Sequence, residues 1–180
     1  MSALLRTLGI VAGTLATAAG GRVRRALGSL RSPAPLRIGV DIRPFYEPLT
    51  GVGWYLHELV HELSRHGDVE LVLLGDARLS DAGPHLQTDL PPGLRVSQFD
   101  LRGLPLTRLA RAITAGAYLP LIWLEGCDLI FGANYFLPRL MSAVAPRRVI
   151  TVHDLTYIRH PELLQRETLG NLEQEMQREV

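Results

Sequence analysis

The octapeptide RIGVDIRP, residues 37–44, is the stretch that decides the fold. Residues 37–42 are largely apolar and β-branched, which predicts a buried strand, and the breaker pair Arg43-Pro44 ends it. A strand that is apolar on both faces is typical of a parallel sheet covered by helices on both sides. The body of the chain therefore opens with the first strand of an α/β domain.

The sequence that follows alternates helices with further apolar strands. Strands are predicted over 69–74, 94–99, 128–131 and 148–152, and helices over 52–66, 106–125 and 162–180. Gly67 follows the helix 52–66 as a cap, and Pro120 is expected to bend or split the helix 106–125. This order predicts a doubly wound, Rossmann-like parallel sheet.

Composition limits the classes of function. The chain has 180 residues, of which 47% are hydrophobic and 21% charged, as in a globular domain. A single cysteine, Cys127, excludes an intramolecular disulfide and a four-cysteine zinc site. Residues 1–40 carry six arginines and no acid, whereas residues 41–180 carry 13 basic and 18 acidic residues. The mildly acidic body offers no phosphate-neutralising stripe, so no nucleic-acid partner is expected.

Residues 1–35 form a basic, weakly apolar extension and linker before the domain of residues 36–180. Residues 7–21 lack charge but are too few to span a bilayer, so a membrane-spanning helix is not expected. One hypothesis is a helix lying on a membrane surface, and the alternatives are a poorly ordered extension or a signal peptide. The apolar stripe of that helix would be Leu4, Leu5, Leu8, Val11 and Leu15. The first hypothesis places the protein in the cytoplasm, peripheral on the inner face of the membrane.

Ligands of an open α/β sheet bind beyond the carboxyl ends of its strands, so the loops after the strands are candidate sites. Glycines at a helix N-terminus allow a diphosphate to approach the backbone, and amide, phenol, imidazole and carboxylate groups can bind a polyol. The residues predicted to contact substrate are Gly51, Val52, Gly53, Asn134, Tyr135, His153 and Asp154. A tight turn, ordinary loop residues and a strand-capping histidine are the competing structural interpretations.

Residues 57–61 read HELVH, which matches the zinc-peptidase pattern formally. The core stripe of the predicted helix is centred on Leu56 and Leu63, so His57 and His61 are expected to point toward solvent. The first helix of a parallel α/β domain is also an unusual place for such a site. The sequence therefore predicts no metal centre.

Three segments together resemble the N-terminal domain of family-4 retaining glycosyltransferases of the GT-B fold, in particular the mannosyltransferase-like enzymes of polysaccharide assembly. They are residues 37–44, the segment LTGVGWYL at 49–56, and VITVHDL at 149–155 with Pro161-Glu162. The resemblance covers about residues 36–180, with the segments in the expected order. Trp54 departs from the arginine that is more usual at that place, so a charge contact by its side chain is not expected.

The resemblance implies the acceptor-side half of an enzyme that transfers sugar from a nucleotide-sugar donor to a glycan or lipid-linked acceptor. Gly51 and Gly53 would face the donor diphosphate, His153 would be the catalytic residue beside the transferred sugar, and Asp154 with the Asn134 loop would shape the acceptor side. No metal or cofactor is implied, because the nucleotide sugar is a co-substrate.

The family's donor-binding domain and the last strand of its N-terminal domain are expected to be missing from residues 1–180, so the chain alone is expected to be inactive. A separate donor-binding half would then be its partner. The alternative is a noncatalytic Rossmann-like module that binds a glycan or a partner chain. A small oxidoreductase is a weaker alternative, because the dinucleotide fingerprint is missing.

Overall fold

The computed structural model describes residues 2–29, 34–46, 48–76, 89–99, 108–137 and 139–164, and also residues 169, 170, 172, 173 and 176. The helices are α1 Ser2–Ser29, α2 Gly51–Leu63, α3 Arg108–Glu125, α4 Arg139–Val144 and α5 Thr156–Arg159. The strands are β1 Leu36–Asp41, β2 Val69–Asp76, β3 Arg95–Phe99, β4 Leu129–Gly132 and β5 Arg148–Ile150. Short 3-10 turns cover Arg43–Phe45 and Pro161–Leu163.

The five strands form one sheet in the order β3-β2-β1-β4-β5, and every neighbouring pair is parallel. The prediction of a parallel α/β sheet is confirmed, and the strand order is consistent with a Rossmann-like fold. β1 lies at the centre, where a Cβ on Gly39 would come within 2.5 Å of the Ile130 side chain and 2.8 Å of the Leu74 side chain. Close packing around the central strand therefore accounts for that glycine.

The sheet is covered on both faces, because successive residues of its strands point to opposite sides. Val72 and Leu74 of β2 pack in the cluster formed with α1, α3 and α4, whereas Leu71 and Leu73 pack in the cluster that contains Leu56 of α2. Two apolar clusters, one on each face, hold the helices against the sheet. This double burial explains why the central positions of β1 and β2 are apolar on both faces.

The predicted helices differ from the structure in several details, and α2 ends at Leu63 with Ser64 as its C-cap rather than at Gly67. The segment 108–125 is one helix with Pro120 inside it, so the proline does not split the helix. Residues 139–144 form α4, for which the sequence predicts no helix, because six residues are too few to show helical periodicity. A helix does not start at Glu162, because Leu164 is extended after the 3-10 turn, although the described residues from 169 to 176 are helical.

Helix α1 packs on α3 and on the edge strand β3. Val11 and Ala18 are buried in the core cluster of that face and Leu15 packs against it, whereas Leu5 and Leu8 are exposed. The predicted apolar stripe is thus divided between the core and the surface. By length and composition, the window Leu4–Val23 is also apolar enough to cross a membrane, a property that it shares with core helices of soluble proteins and with signal sequences.

A buried ion network joins the amino-terminal ends of the strands to the end of α3. The Glu125 carboxylate, which is fully buried, lies 3.4 Å from Nη2 of Arg37 and 2.7 Å from Nε of Arg95. The Ser97 hydroxyl donates to its other oxygen at 2.8 Å, and Arg37 also lies 3.1 Å from Glu70. One buried carboxylate therefore holds two arginines from different strands.

Candidate functional site

The order of the strands places the candidate site between β1 and β4. The chain winds outward in one direction from β1 to β3 and returns to the other side of β1 with β4, which creates a crevice at the carboxyl ends of β1 and β4. The loops after these two strands, the loop after β5 and the N-terminus of α2 all begin at this edge. The loops that the sequence singles out as candidate sites therefore meet at the switch point of the sheet.

Arg43 and Asp41 form a clamp at the end of β1. Nε of Arg43 donates to both carboxylate oxygens of Asp41, at 3.1 and 2.8 Å, and Nη2 donates to the Phe136 carbonyl at 3.2 Å. The clamp fixes the loop after β4 against the end of β1 and pairs the buried Asp41 carboxylate with a guanidinium. From the sequence, Arg43 is predicted only to end the first strand. Its position directly after that strand is the feature that could have indicated a role at the site.

A cavity of about 250 Å³ opens beside this clamp. Its walls are Asp41, Arg43, Pro44, Pro48, Thr50, Val52 and Asn134. Two of the predicted contact residues, Val52 and Asn134, therefore face one cavity although 82 positions separate them in the chain. The Asn134 side-chain oxygen accepts a hydrogen bond from the Tyr135 backbone N–H at 2.9 Å, which shapes the loop after β4.

The two glycines of α2 have different surroundings. Gly51 is exposed at the first position of the helix, and a Cβ there would meet no described atom within 4 Å. Gly53 is buried, and its Cβ would lie 2.9 Å from the Leu49 side chain and 3.4 Å from the Pro44 carbonyl oxygen. Packing inside the chain therefore explains Gly53, whereas the backbone at Gly51 is open to a ligand.

An aromatic group surrounds His153 at the same edge. We call Tyr55, Tyr135, His153 and Tyr157 the Tyr–His cluster. Ring centroids of Tyr55 and Tyr135 lie 5.3 and 5.9 Å from that of His153, both in edge-to-face geometry. The Tyr55 hydroxyl also lies 3.2 Å from the Thr151 hydroxyl, which connects α2 to the loop after β5. Tyr rings present apolar faces with a polar tip, so the cluster offers both kinds of contact to a ligand.

His153 has a defined tautomer when its ring is neutral. Its Nε2 lies 2.7 Å from the Ala133 carbonyl oxygen, and a carbonyl only accepts, so Nε2 carries the hydrogen. Nδ1 is then the acceptor nitrogen of the neutral ring. The side chain is exposed at the edge of the crevice, so that nitrogen is available to a hydroxyl group of a ligand.

Tyr135 and Asp154 interact directly. Burial raises the pKa of Tyr135 to about 12, and the hydrogen bond to the Asp154 carboxylate and its negative charge add to that effect. The Thr156 backbone N–H, which donates to Asp154 at 2.8 Å, and the Tyr135 hydroxyl both lower the pKa of Asp154. The pair therefore presents an ionised carboxylate and a protonated phenol over the neutral pH range.

The HELVH histidines lie together but without further metal ligands. The ring centroids of His57 and His61 are 4.3 Å apart, His57 contacts Glu58 at 3.1 Å, and His61 contacts the Asp89 carbonyl at 3.2 Å. Among the described residues, no group of three or more His, Cys, Asp or Glu side chains could hold a metal ion. A larger cavity, about 560 Å³, includes His61 and Glu70 and lies between the far end of α2 and the start of β3, away from the crevice.

The structure brings together five of the seven predicted contact residues in two adjoining groups. Val52 and Asn134 line the cavity, whereas Tyr135 and His153 belong to the Tyr–His cluster and Asp154 is hydrogen-bonded to Tyr135. The sequence predicts no role for Tyr55, although it lies two residues after Gly53. No family model, curated protein or solved structure matches this chain.

Proposed function

We propose that this chain is the acceptor-side half of a retaining glycosyltransferase of the GT-B type, acting in cell-surface polysaccharide assembly. One observation carries the proposal: segments 37–44 and 49–56 and the distant segment 149–155 meet at one edge of the sheet beside its switch point. That is the arrangement a polyol acceptor and a donor diphosphate require, because both must reach the same crevice.

In this proposal the Tyr–His cluster and Asp154 bind the acceptor sugar. Tyr55 and Tyr135 supply apolar ring faces, while the ionised Asp154 accepts hydrogen bonds from sugar hydroxyls. Nδ1 of His153 accepts the hydrogen bond of the reacting hydroxyl and holds its oxygen toward the donor. Such positioning lowers the barrier because it replaces a bimolecular encounter by a fixed geometry.

The N-terminus of α2 is assigned to the donor diphosphate. The first backbone N–H groups of a helix have no intrahelical partner, and the helix dipole favours an anion there. Gly51 leaves this backbone open, and Val52 lines the adjoining cavity. During transfer the bond from the anomeric carbon to the diphosphate breaks, the bond to the acceptor oxygen forms on the same face, and the acceptor proton leaves with the diphosphate.

Most contacts to the nucleotide sugar are assigned to a separate donor-binding half. The chain alone is then expected to bind acceptor sugars weakly and to transfer none. Incubation with radiolabelled UDP- and GDP-sugars and an oligosaccharide acceptor should give no labelled product. Turnover by the isolated chain would contradict this division of the enzyme.

Ligand-observed NMR on the purified chain tests the acceptor site, with a panel of methyl glycosides and short oligosaccharides as probes. The variants His153→Ala and Asn134→Ala should lose the binding signal of the wild-type chain. His61→Ala is the matched control, because His61 lies near the other end of α2, and it should keep the signal. Equal loss in the control, or no binding to any sugar, would contradict the acceptor role.

A further inference from the structure

Helices α1 and α3 expose apolar side chains on the outer side of their layer. Trp123 and Leu119 of α3 lie one helical turn apart and are exposed, Trp123 to 64%. On α1, Leu5, Leu8 and Val23 are also exposed, Leu5 to 63%. Because α1 packs along α3, these side chains belong to one continuous layer of the molecule. An exposed apolar surface of this kind marks a site of interaction.

The charge of the same layer is strongly positive. The sequence of α1 contains Arg6, Arg22, Arg24 and Arg25, and that of α3 contains Arg108 and Arg111. Glu125 is the one acid in these two helices, and it is buried against Arg37 and Arg95. Helix α2, on the opposite face of the sheet, carries two glutamates and no arginine. By sequence, α1 and α3 therefore carry six arginines against one buried acid, whereas α2 carries only acidic residues besides its histidines.

Arg22 and Trp123 connect the two helices at this surface. The Arg22 guanidinium lies over the Trp123 ring, 4.3 Å from its centroid, and its Nη1 donates to the Trp123 carbonyl oxygen. Tryptophan and arginine side chains are both typical of the boundary between lipid headgroups and acyl chains, because each has an apolar part and a polar end. Together, the apolar side chains and the arginines complement an anionic lipid surface.

We propose that the α1–α3 layer binds the surface of an anionic lipid bilayer, with α1 lying in the plane of the membrane. α1 does not cross the bilayer in this arrangement, because Thr7, Val11 and Ala18 are buried against the rest of the domain. The Arg95 side chain also donates to the Thr17 carbonyl at 3.1 Å, which adds to the attachment of α1. The proposal uses neither the crevice nor the Tyr–His cluster, so it stands independently of the proposed function.

The two tryptophans of the chain allow a direct test with vesicles. Trp54→Phe leaves Trp123 as the only indole, and its emission should shift to the blue when vesicles of phosphatidylcholine and phosphatidylglycerol in equal parts are added. Trp123→Phe leaves Trp54, which is also exposed but lies on α2, and its emission should stay unchanged. An unchanged Trp123 emission, or a shift of Trp54 instead, would overturn the proposal.

Sedimentation with the same vesicles tests the charge contribution. Arg6→Gln should weaken partitioning about fivefold, which corresponds to about 1 kcal/mol per arginine near an anionic surface. Arg65→Gln is the matched control, because Arg65 is an exposed arginine just beyond α2, and its partitioning should equal that of the wild type. Equal binding to vesicles of phosphatidylcholine alone would overturn the in-plane anionic-surface proposal and favour a membrane-spanning α1.

Discussion

The buried Glu125 carboxylate gives the sharpest prediction about stability. Glu125→Ala leaves Arg37, which is 2% exposed, and Arg95 without the carboxylate that they share. Nε and Nη1 of Arg37 already lack a hydrogen-bond partner within the described residues, so the remaining Glu70 contact at 3.1 Å cannot compensate. Removing one partner of a buried ion pair typically costs about 3–5 kcal/mol, a large part of the roughly 5–15 kcal/mol that holds a domain folded.

Urea unfolding followed by circular dichroism measures this loss. With an m-value of about 2 kcal/mol/M, the midpoint should fall by about 2 M. The midpoint of Glu125→Gln should fall less than that of Glu125→Ala, because the amide oxygen still accepts the hydrogen bond of the Ser97 hydroxyl. Glu62→Ala is the matched control, since its pair with Arg65 is exposed, and it should cost less than about 1 kcal/mol. A Glu125→Ala loss as small as that of the control would refute the reasoning.

Two further predictions concern the candidate site. Asp154→Asn should lower the pKa of Tyr135 from about 12 toward 10 without reaching it, because burial remains, and ultraviolet titration of tyrosinate against a Tyr135→Phe reference measures the change. The raised pKa stabilises the fold below about pH 10, and this contribution is lost as the pH rises through about 12, so an unchanged titration in Asp154→Asn would contradict the assigned hydrogen bond. Gly51→Ala should raise the free energy of unfolding by about 0.4–1 kcal/mol, whereas Gly53→Ala should raise it less or lower it, because the added Cβ requires the Leu49 side chain to move. Thermal unfolding that ranks the two variants the other way would contradict their packing.

The architecture of the sheet follows from local patterns in the sequence. The central residues of segments 37–42 and 69–74 are apolar on both faces, which is the pattern of a parallel strand covered by helices on both sides. Short helices such as α4 span fewer than two turns, so their sequence shows no clear helical periodicity. Tertiary contacts then determine whether such a helix forms. The position of α1 could not be predicted, because Val11 and Leu5 are equally apolar and only packing on α3 determines which is buried.

The candidate site was predictable in its position but not in its contacts. His153 and Asn134 follow strands, and the rule that ligands bind beyond strand ends selects them. Arg43 contacts the Phe136 carbonyl across 93 residues of sequence, and Tyr55 contacts His153 across 98. The pairing of Arg43 with Asp41 depends on the geometry of the turn after β1. Neither kind of contact can be predicted from local sequence patterns. Gly53 shows the converse, since a glycine expected to face a ligand is explained by Leu49 packing.

NMR mapping of an acceptor sugar tests the central claim most directly. A chain labelled with ¹³C at its tyrosine and histidine rings would be titrated with the oligosaccharide that binds best in the ligand-observed screen. The account predicts shift changes at Tyr55, Tyr135 and His153, and unchanged signals from the buried Tyr118 and from His61 at the other end of α2. Changes centred on His61, with the Tyr–His cluster unmoved, would contradict an acceptor site at the crevice.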